Sequence, residues 1–244
     1  MDFAIELATA ADSWKVAKRA EELGFHSAWF EDSQMVAADP FVAMAAAAMQ
    51  TSRIRLGTGV CIPTNRIPPV TANMLATLNA LAPGRIDWGV GTGFSARRAM
   101  GLGAISVETL GRHLRAVRGL LARETVNWDF GGGRQRAIKF LNPEVPLFNT
   151  TDAVACHVAA MGPKSRELTA ELGCHWITLS SCRRRRQSAI WSRWKPPIAP
   201  PAVTRLPNAN SPLPLAQYCA MATPTPRRAC ALKPGHWRRW CCTI

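Results

Sequence analysis

Carboxylates are absent from the last 64 residues of this 244-residue chain: all 16 Asp and Glu lie at or before Glu171. Residues 181–244 also lack Phe and hold only one of 17 Gly, yet carry 12 of 30 Lys and Arg, ten of 18 Pro and five of 8 Cys. The first 180 residues balance 18 basic against 16 acidic side chains, so +2 of the formal +14 belongs to them and +12 to the tail. The chain therefore divides into residues 1–180, long enough to bury a substantial core, and a basic tail, 181–244. The tail shows neither strand alternation nor helix periodicity, and low-acid, Pro-rich sequence of this kind is expected to be disordered.

Other absences narrow the function. No run of 18 apolar residues exists, and the N-terminus has neither a basic start nor an apolar signal core, which argues against a membrane partner and against secretion. A cytoplasmic location is the expectation. No C-x-x-C unit and no zinc-like His spacing is found, so the ordered cysteines read as small buried residues. Cys156-His157 and Cys174-His175 do not read as metal sites, because adjacent side chains on a strand point to opposite faces. No Ser-His-Asp set or pair of carboxylates stands out either.

What is present is alternation. Residues 3–7 form a short apolar run, Asp12 and Ser13 offer caps to a helix with Trp14, Ala17, Ala20 and Leu23 inward, and Gly24 closes it. Lys18 and Glu22 sit one turn apart on its other face. Residues 27–30 read as a strand, and Pro40 opens an Ala- and Met-rich helix ending near Gln50. Strands follow at 55–60 and 85–90, separated by a helix at 70–81. A helix at 107–122 turns Leu110, Leu114, Val117 and Leu121 inward and Arg112, Arg115 and Arg118 toward water. A strand at 156–160, a helix at 163–172 and a strand at 176–179 complete six alternations, which imply an α/β fold with a parallel sheet.

An open dinucleotide-binding sheet fits poorly. Gly89, Gly91 and Gly93 give G-x-G-x-G rather than the required spacing, and no acid stands at the end of the next strand. The unusual residues collect instead in loops after strands, at Glu31-Asp32-Ser33, at 58–64, at 91–98 and at 161–165, as in a (β/α)8 TIM barrel.

At these loops the sequence resembles the luciferase-like oxidoreductases that use a flavin or the deazaflavin coenzyme F420, in particular the methylenetetrahydromethanopterin-reductase-like branch. The blocks that carry the resemblance are Gly24-Phe25-His26-Ser27-Ala28-Trp29-Phe30-Glu31-Asp32-Ser33, Asp39-Pro40-Phe41, Ser52-Arg53-Ile54-Arg55-Leu56-Gly57-Thr58-Gly59-Val60, Gly89-Val90-Gly91-Thr92-Gly93 and Ala160-Met161-Gly162-Pro163-Lys164. The resemblance implies hydride transfer between F420 and a small organic substrate, with an FMN-dependent monooxygenase as the alternative. It places Asp32 and Ser33 in the catalytic loop, with Asp32 beside the cofactor ring, where it could orient the ring or relay a proton; by itself, Asp32 also reads as a helix cap. It places Thr58, Gly59, Val60 and Cys61 behind the ring, at a bulge where relatives often have a non-prolyl cis peptide, and Gly91, Thr92 and Gly93 along the cofactor. Gly162 and Pro163 open a helix whose free amides could hold a phosphate, with Lys164 or Arg166 nearby. A homodimer through barrel helices is common among relatives. Ser33 in place of a frequent His, and Phe94 in place of a Glu, argue against the sugar-phosphate dehydrogenase branch.

The resemblance stops near residue 180, where relatives continue through two more strands. The barrel is thus expected to be incomplete, at about six strands, and its activity lost or weakened. Two readings of residues 181–244 follow. Arg183-Arg184-Arg185-Arg186 with Trp191, Trp194, Trp237 and Trp240 could bind nucleic acid non-specifically through phosphate charge and base stacking. The favoured reading is a shifted reading frame in a GC-rich gene.

Overall fold

The computed structural model describes residues 2–142 and 144–178. The readings made for residues 181–244 lie outside the described residues. Strand and helix alternate as β1 (Ala4–Leu7), α1 (Trp14–Glu22), β2 (Ser27–Phe30), α2 (Pro40–Gln50), β3 (Arg55–Thr58), α3 (Pro68–Leu81), β4 (Ile86–Val90), α4 (Phe94–Ala99) and α5 (Val107–Leu121). A hairpin of β5 (Val126–Asp129) and β6 (Gln135–Ile138) precedes β7 (Ala155–Ala159), α6 (Pro163–Glu171) and β8 (His175–Ile177). The six strands β1-β2-β3-β4-β7-β8 pair in parallel in that order, forming a half-barrel of the TIM type with helices on its outer face. Among the described residues no helix is long and apolar enough to cross a membrane.

Local chemistry accounts for the element ends. The Asp39 carboxylate accepts from the amides of Phe41 and Val42 at 2.9 and 3.2 Å, and Pro40 supplies the preset φ of a first helical residue. Ser106 caps α5 through the Thr109 amide at 3.0 Å. Gly24, at φ 84°, reverses the chain after α1 without a Cβ clash. Ser13 does not cap α1 with its side chain: its hydroxyl accepts from the Ala10 amide, and Asp12 pairs with Lys15 at 3.3 Å. The helix-surface ion pair forms between Arg19 and Glu22 at 2.7 Å, rather than from Lys18.

Two apolar layers result. On the outer face Phe30, Leu56, Ile86, Trp88, Val90 and Val158 meet Met44, Leu75, Leu110, Leu114 and Val117 in one buried cluster. Inside the half-barrel the indole of Trp29 occupies the centre, packed with Ala4, Ile177, Val60 and Ala159, and its N–H donates to Ser27 Oγ at 2.9 Å. Gly57 and Gly89 make that position available. A Cβ on Gly57 would lie 2.6 Å from Trp29 Cε3, and one on Gly89 would lie 2.0 Å from the Thr58 carbonyl oxygen.

Toward the N-terminal ends of the strands the interior is polar. Arg55 donates to both oxygens of Asp87 at 2.8 and 2.7 Å, and His157 Nε2 lies 3.3 Å from Asp87 Oδ1. The His157 ring stacks on His175 at 4.6 Å. Burial alone would raise the Asp87 pKa, but the hydrogen bonds from His157 and Arg55 outweigh it and hold the carboxyl below its ordinary value.

The arginine face of α5 is engaged, where periodicity alone makes it a solvated stripe. Arg115 pairs with Glu171 at 2.5 Å and Arg118 donates to the Leu172 carbonyl, so these side chains fasten α5 to the end of α6. Helix α3 begins two residues before Val70, and β3 ends at Thr58, two residues before Val60.

Candidate active site

The C-terminal ends of the adjacent strands β2, β3, β4 and β7 carry the loops singled out in the sequence, and they form a continuous row. After β2, Asp32 is buried, and its Oδ2 accepts from Arg66 Nη1 at 2.7 Å. Its other oxygen accepts from Gln34 Nε2. Arg66 also donates to Asp39 Oδ2 at 2.7 Å and stands over the Phe41 ring, 4.8 Å from its centroid. Asp32 is therefore not a helix cap; that role falls to Asp39. Ser33 is buried too, and its hydroxyl donates to Glu31 Oε1 at 2.7 Å.

After β3 the Gly59-Val60 peptide is cis, at the position the resemblance implied. Gly59 and Val60 are half-buried, while Thr58 is buried and its hydroxyl donates to the Gly89 carbonyl at 2.7 Å. Cys61 is buried and bridges to Val90; burial, with the neighbouring Asp32 charge, pushes its thiol pKa well up, so it stays protonated. Gly91 lies against this wall, since a Cβ there would meet Val60 Cγ2 at 2.9 Å and Ala159 Cβ at 3.2 Å. Thr92 and Gly93 are half-buried at the rim, and Gly93 adopts φ 76° as α4 begins. Arg97 of α4 reaches back to the Gly103 carbonyl and to Thr64, tying the β4 loop to the β3 loop.

Thr58, Gly59, Val60, Cys61 and Gly91 are thus brought into one wall, with Thr92 and Gly93 at its edge and Asp32 alongside. Gly162 and Pro163 stand one strand further along, exposed, at the start of α6. A Cβ on Gly162 would find its nearest neighbour, Ser165 Oγ, at 4.0 Å, so the approach to the first turn of α6 is open, and amides there have no partner within the helix. Arg166 turns back to donate to the Ala160 and Met161 carbonyls and covers Trp176, which fixes the end of β7.

Three side chains of the site were not reached from the sequence. Arg66 is the only charged residue between Arg55 and Arg85, and a lone charge in an apolar stretch is a signal that it has a buried partner. Gln34 leaves no such signal. Glu6 projects from β1 into the half-barrel, where a Cβ on Gly59 would lie 3.7 Å from its Oε1. Burial, with help from the Glu31 carboxylate, raises the Glu6 pKa.

Half-buried strand ends at Gly59-Val60 and Thr92-Gly93, a buried carboxylate–guanidinium pair and an open helix start suit a planar ring with an anionic arm. Comparisons agree. A family profile described as luciferase-like monooxygenase matches residues 5–192. The 5,10-methylenetetrahydromethanopterin reductase of Methanolobus tindarius is 33% identical over 182 residues, covering 70% of this chain and 52% of its own length. The F420-dependent glucose-6-phosphate dehydrogenase of Beutenbergia cavernae is 34% identical over 178 residues, covering 66% of this chain and 50% of its own length. Among solved structures, a monooxygenase from Streptomyces bottropensis superposes with a TM-score of 0.63 at 27% identity, covering 80% of this chain and 68% of that one. The chain spans about half the length of the curated relatives it matches. On this match, and on the half-barrel that carries it, the chain belongs to the luciferase-like monooxygenase family of oxidoreductases.

Proposed function

We propose that the site serves hydride transfer between the deazaflavin coenzyme F420 and a small organic substrate. The observation that carries this reading is the pair of half-buried strand ends at Gly59-Val60 and Thr92-Gly93, set beside the buried Asp32–Arg66 pair at the C-terminal ends of the strands. A deazaflavin, when bound, supplies the ring carbon that gives or takes a hydride. The protein then has little covalent chemistry to do: it fixes the ring, excludes water and places the substrate.

The residues divide that work. Gly59, Val60, Thr92 and Gly93, half-buried at the strand ends, face the ring with Gly91 packed behind Val60, and Gly162 and Pro163 present the first turn of α6 to an anionic group. Arg66 fixes the Asp32 carboxylate through its 2.7 Å hydrogen bond. Glu6, its pKa raised by burial and by the Glu31 carboxylate, projects beside Gly59 and is a candidate to hold a proton behind the ring. The F420-dependent relative supports the choice of coenzyme.

A second reading, an FMN-dependent monooxygenase, is favoured by the likeness to the Streptomyces enzyme. The two separate in paired assays, the first anaerobic with F420 and the second in air with reduced FMN. Purified chain is mixed with oxidised F420 and a panel of secondary alcohols, sugar phosphates and reduced pterins, and bleaching of the coenzyme is followed. Bleaching with one substrate class supports the first reading. Unchanged F420 with every class, together with substrate-dependent oxygen consumption on reduced FMN, favours the second.

A further inference from the structure

Cys156 and Cys174 are the feature of this fold that the proposed chemistry does not use. His157 on β7 is in register with His175 on β8, so the residues preceding them, Cys156 and Cys174, are neighbours across the same strand pair. Adjacent strands lie about 4.7–4.9 Å apart, within the 4.4–6.8 Å Cα separation that a disulfide spans. Both thiols are free and both face the helices, Cys156 buried and Cys174 half-buried, whereas the two histidines face the half-barrel interior. Cys174 is thus half-buried, where the sequence reads the ordered cysteines as small buried residues.

Its surroundings are those of a reactive thiol. Arg118 Nη1 lies 3.6 Å from Cys174 Sγ, which also lies 3.8 Å from the Leu172 carbonyl oxygen. Arg118 lines a surface pocket of about 280 Å3 with Arg115, Gly119, Ala122 and Glu124, so the guanidinium beside the sulfur borders solvent. The Cys156 thiol, donating to Cys174, together with Arg118, brings the Cys174 pKa down to about 7 against the opposing effect of burial, while the Cys156 pKa is pushed up.

We propose that Cys156 and Cys174 form a peroxide-oxidised dithiol, in which Cys174 is the attacking sulfur and Cys156 the resolving one. The Cys174 thiolate attacks one oxygen of hydrogen peroxide; the O–O bond breaks, the sulfur becomes a sulfenic acid, and hydroxide leaves to take up a proton as water. The Cys156 thiol then gives its proton to the departing hydroxyl as its sulfur bonds to Cys174, releasing a second water. The two thiols lose two electrons, which peroxide accepts, and β7 becomes linked to the residue preceding β8.

The test uses the full chain, treated with equimolar hydrogen peroxide, quenched with iodoacetamide, digested and sequenced by mass spectrometry. The expected product is a peptide pair joined at Cys156 and Cys174, lighter by two hydrogens than the separate thiol peptides. Recovery of both residues fully alkylated, or linkage of Cys174 to any other cysteine, overturns the proposal. A second measurement needs no cysteine variant. At pH 7 iodoacetamide labels Cys174 about tenfold faster than Cys156, and Arg118→Gln slows Cys174 about threefold with unchanged circular dichroism. Equal labelling of the two thiols in the unmodified chain contradicts the assignment.

Discussion

Arg66 and Asp32 form an ion pair at 2.7 Å in which the carboxylate side chain is 0% exposed and the guanidinium 13%. Removing Arg66 leaves a buried charge without its counterion, a change worth about 3–5 kcal/mol in comparable sites. Arg66→Met is therefore expected to lower the free energy of urea unfolding by roughly that amount. Adding Asp32→Asn to Arg66→Met should restore about 1 kcal/mol or more, because the stranded charge is gone. Additive losses from the two substitutions would show that the pair is not coupled.

The Trp29 ring sets different tolerances at two glycines. Gly57→Ala puts its methyl 2.6 Å from Trp29 Cε3, a side-chain atom, and should cost about 1–3 kcal/mol in the parent chain. In a Trp29→Leu background that cost should nearly vanish. At Gly89 the obstacle is the Thr58 carbonyl at 2.0 Å, which is backbone, so Gly89→Ala should remain destabilising in both backgrounds. Unfolding curves of the four combinations decide this.

Acid should weaken the fold in two stages. Burial between Trp88 and Trp128 brings the His113 pKa down to about 4, so the folded imidazole stays neutral while the unfolded one takes up a proton. Stability then falls as pH drops from about 6.5 toward 4, by on the order of 3 kcal/mol in total. His175, lowered by burial and by His157, adds to the same slope. Asp87, whose folded pKa is depressed, contributes stability above its unfolded value that is lost as pH falls further, below about 4. Thermal melts of His113→Gln should flatten the first stage, and those of Asp87→Asn the second.

Glu6 has the opposite sign. Its raised pKa means that the folded state resists ionisation, so stability declines as pH rises from about 4.3 through the folded value. Glu6→Gln should raise the melting temperature at pH 7 and leave it nearly unchanged at pH 4. A gain at both pH values would assign the effect to packing instead.

The legible parts of this fold are those where local chemistry and burial agree. Gly24, Pro40 and the apolar run at Ser27–Phe30 mark the end of α1, the start of α2 and β2 closely, since each of these boundaries is made by the residue that marks it. The β5–β6 hairpin gave no strand signal, because Val126–Asp129 is only half-buried and Gln135–Ile138 largely exposed, and only the turn glycines between them stand out. α4 is short, and five of its six residues, 94–98, fall in the segment 91–98 that reads as loop. In the site, the backbone wall was readable from family blocks, but Arg66 and Glu6 acquire their meaning from partners 34 residues away and from burial across strands. Such pairings arise only once the sheet order is known.

The central claim is that the strand ends at Gly59-Val60 and Thr92-Gly93, backed by Gly91, receive a deazaflavin ring. Fluorescence titration of F420 with the full chain tests it most directly, run alongside Gly91→Val, whose side chain would crowd Val60 and Ala159. The account predicts saturable binding of one coenzyme per chain, weakened about tenfold or more in the variant while its circular dichroism is unchanged. No saturable binding by the parent chain, or equal binding by a folded Gly91→Val, would contradict it.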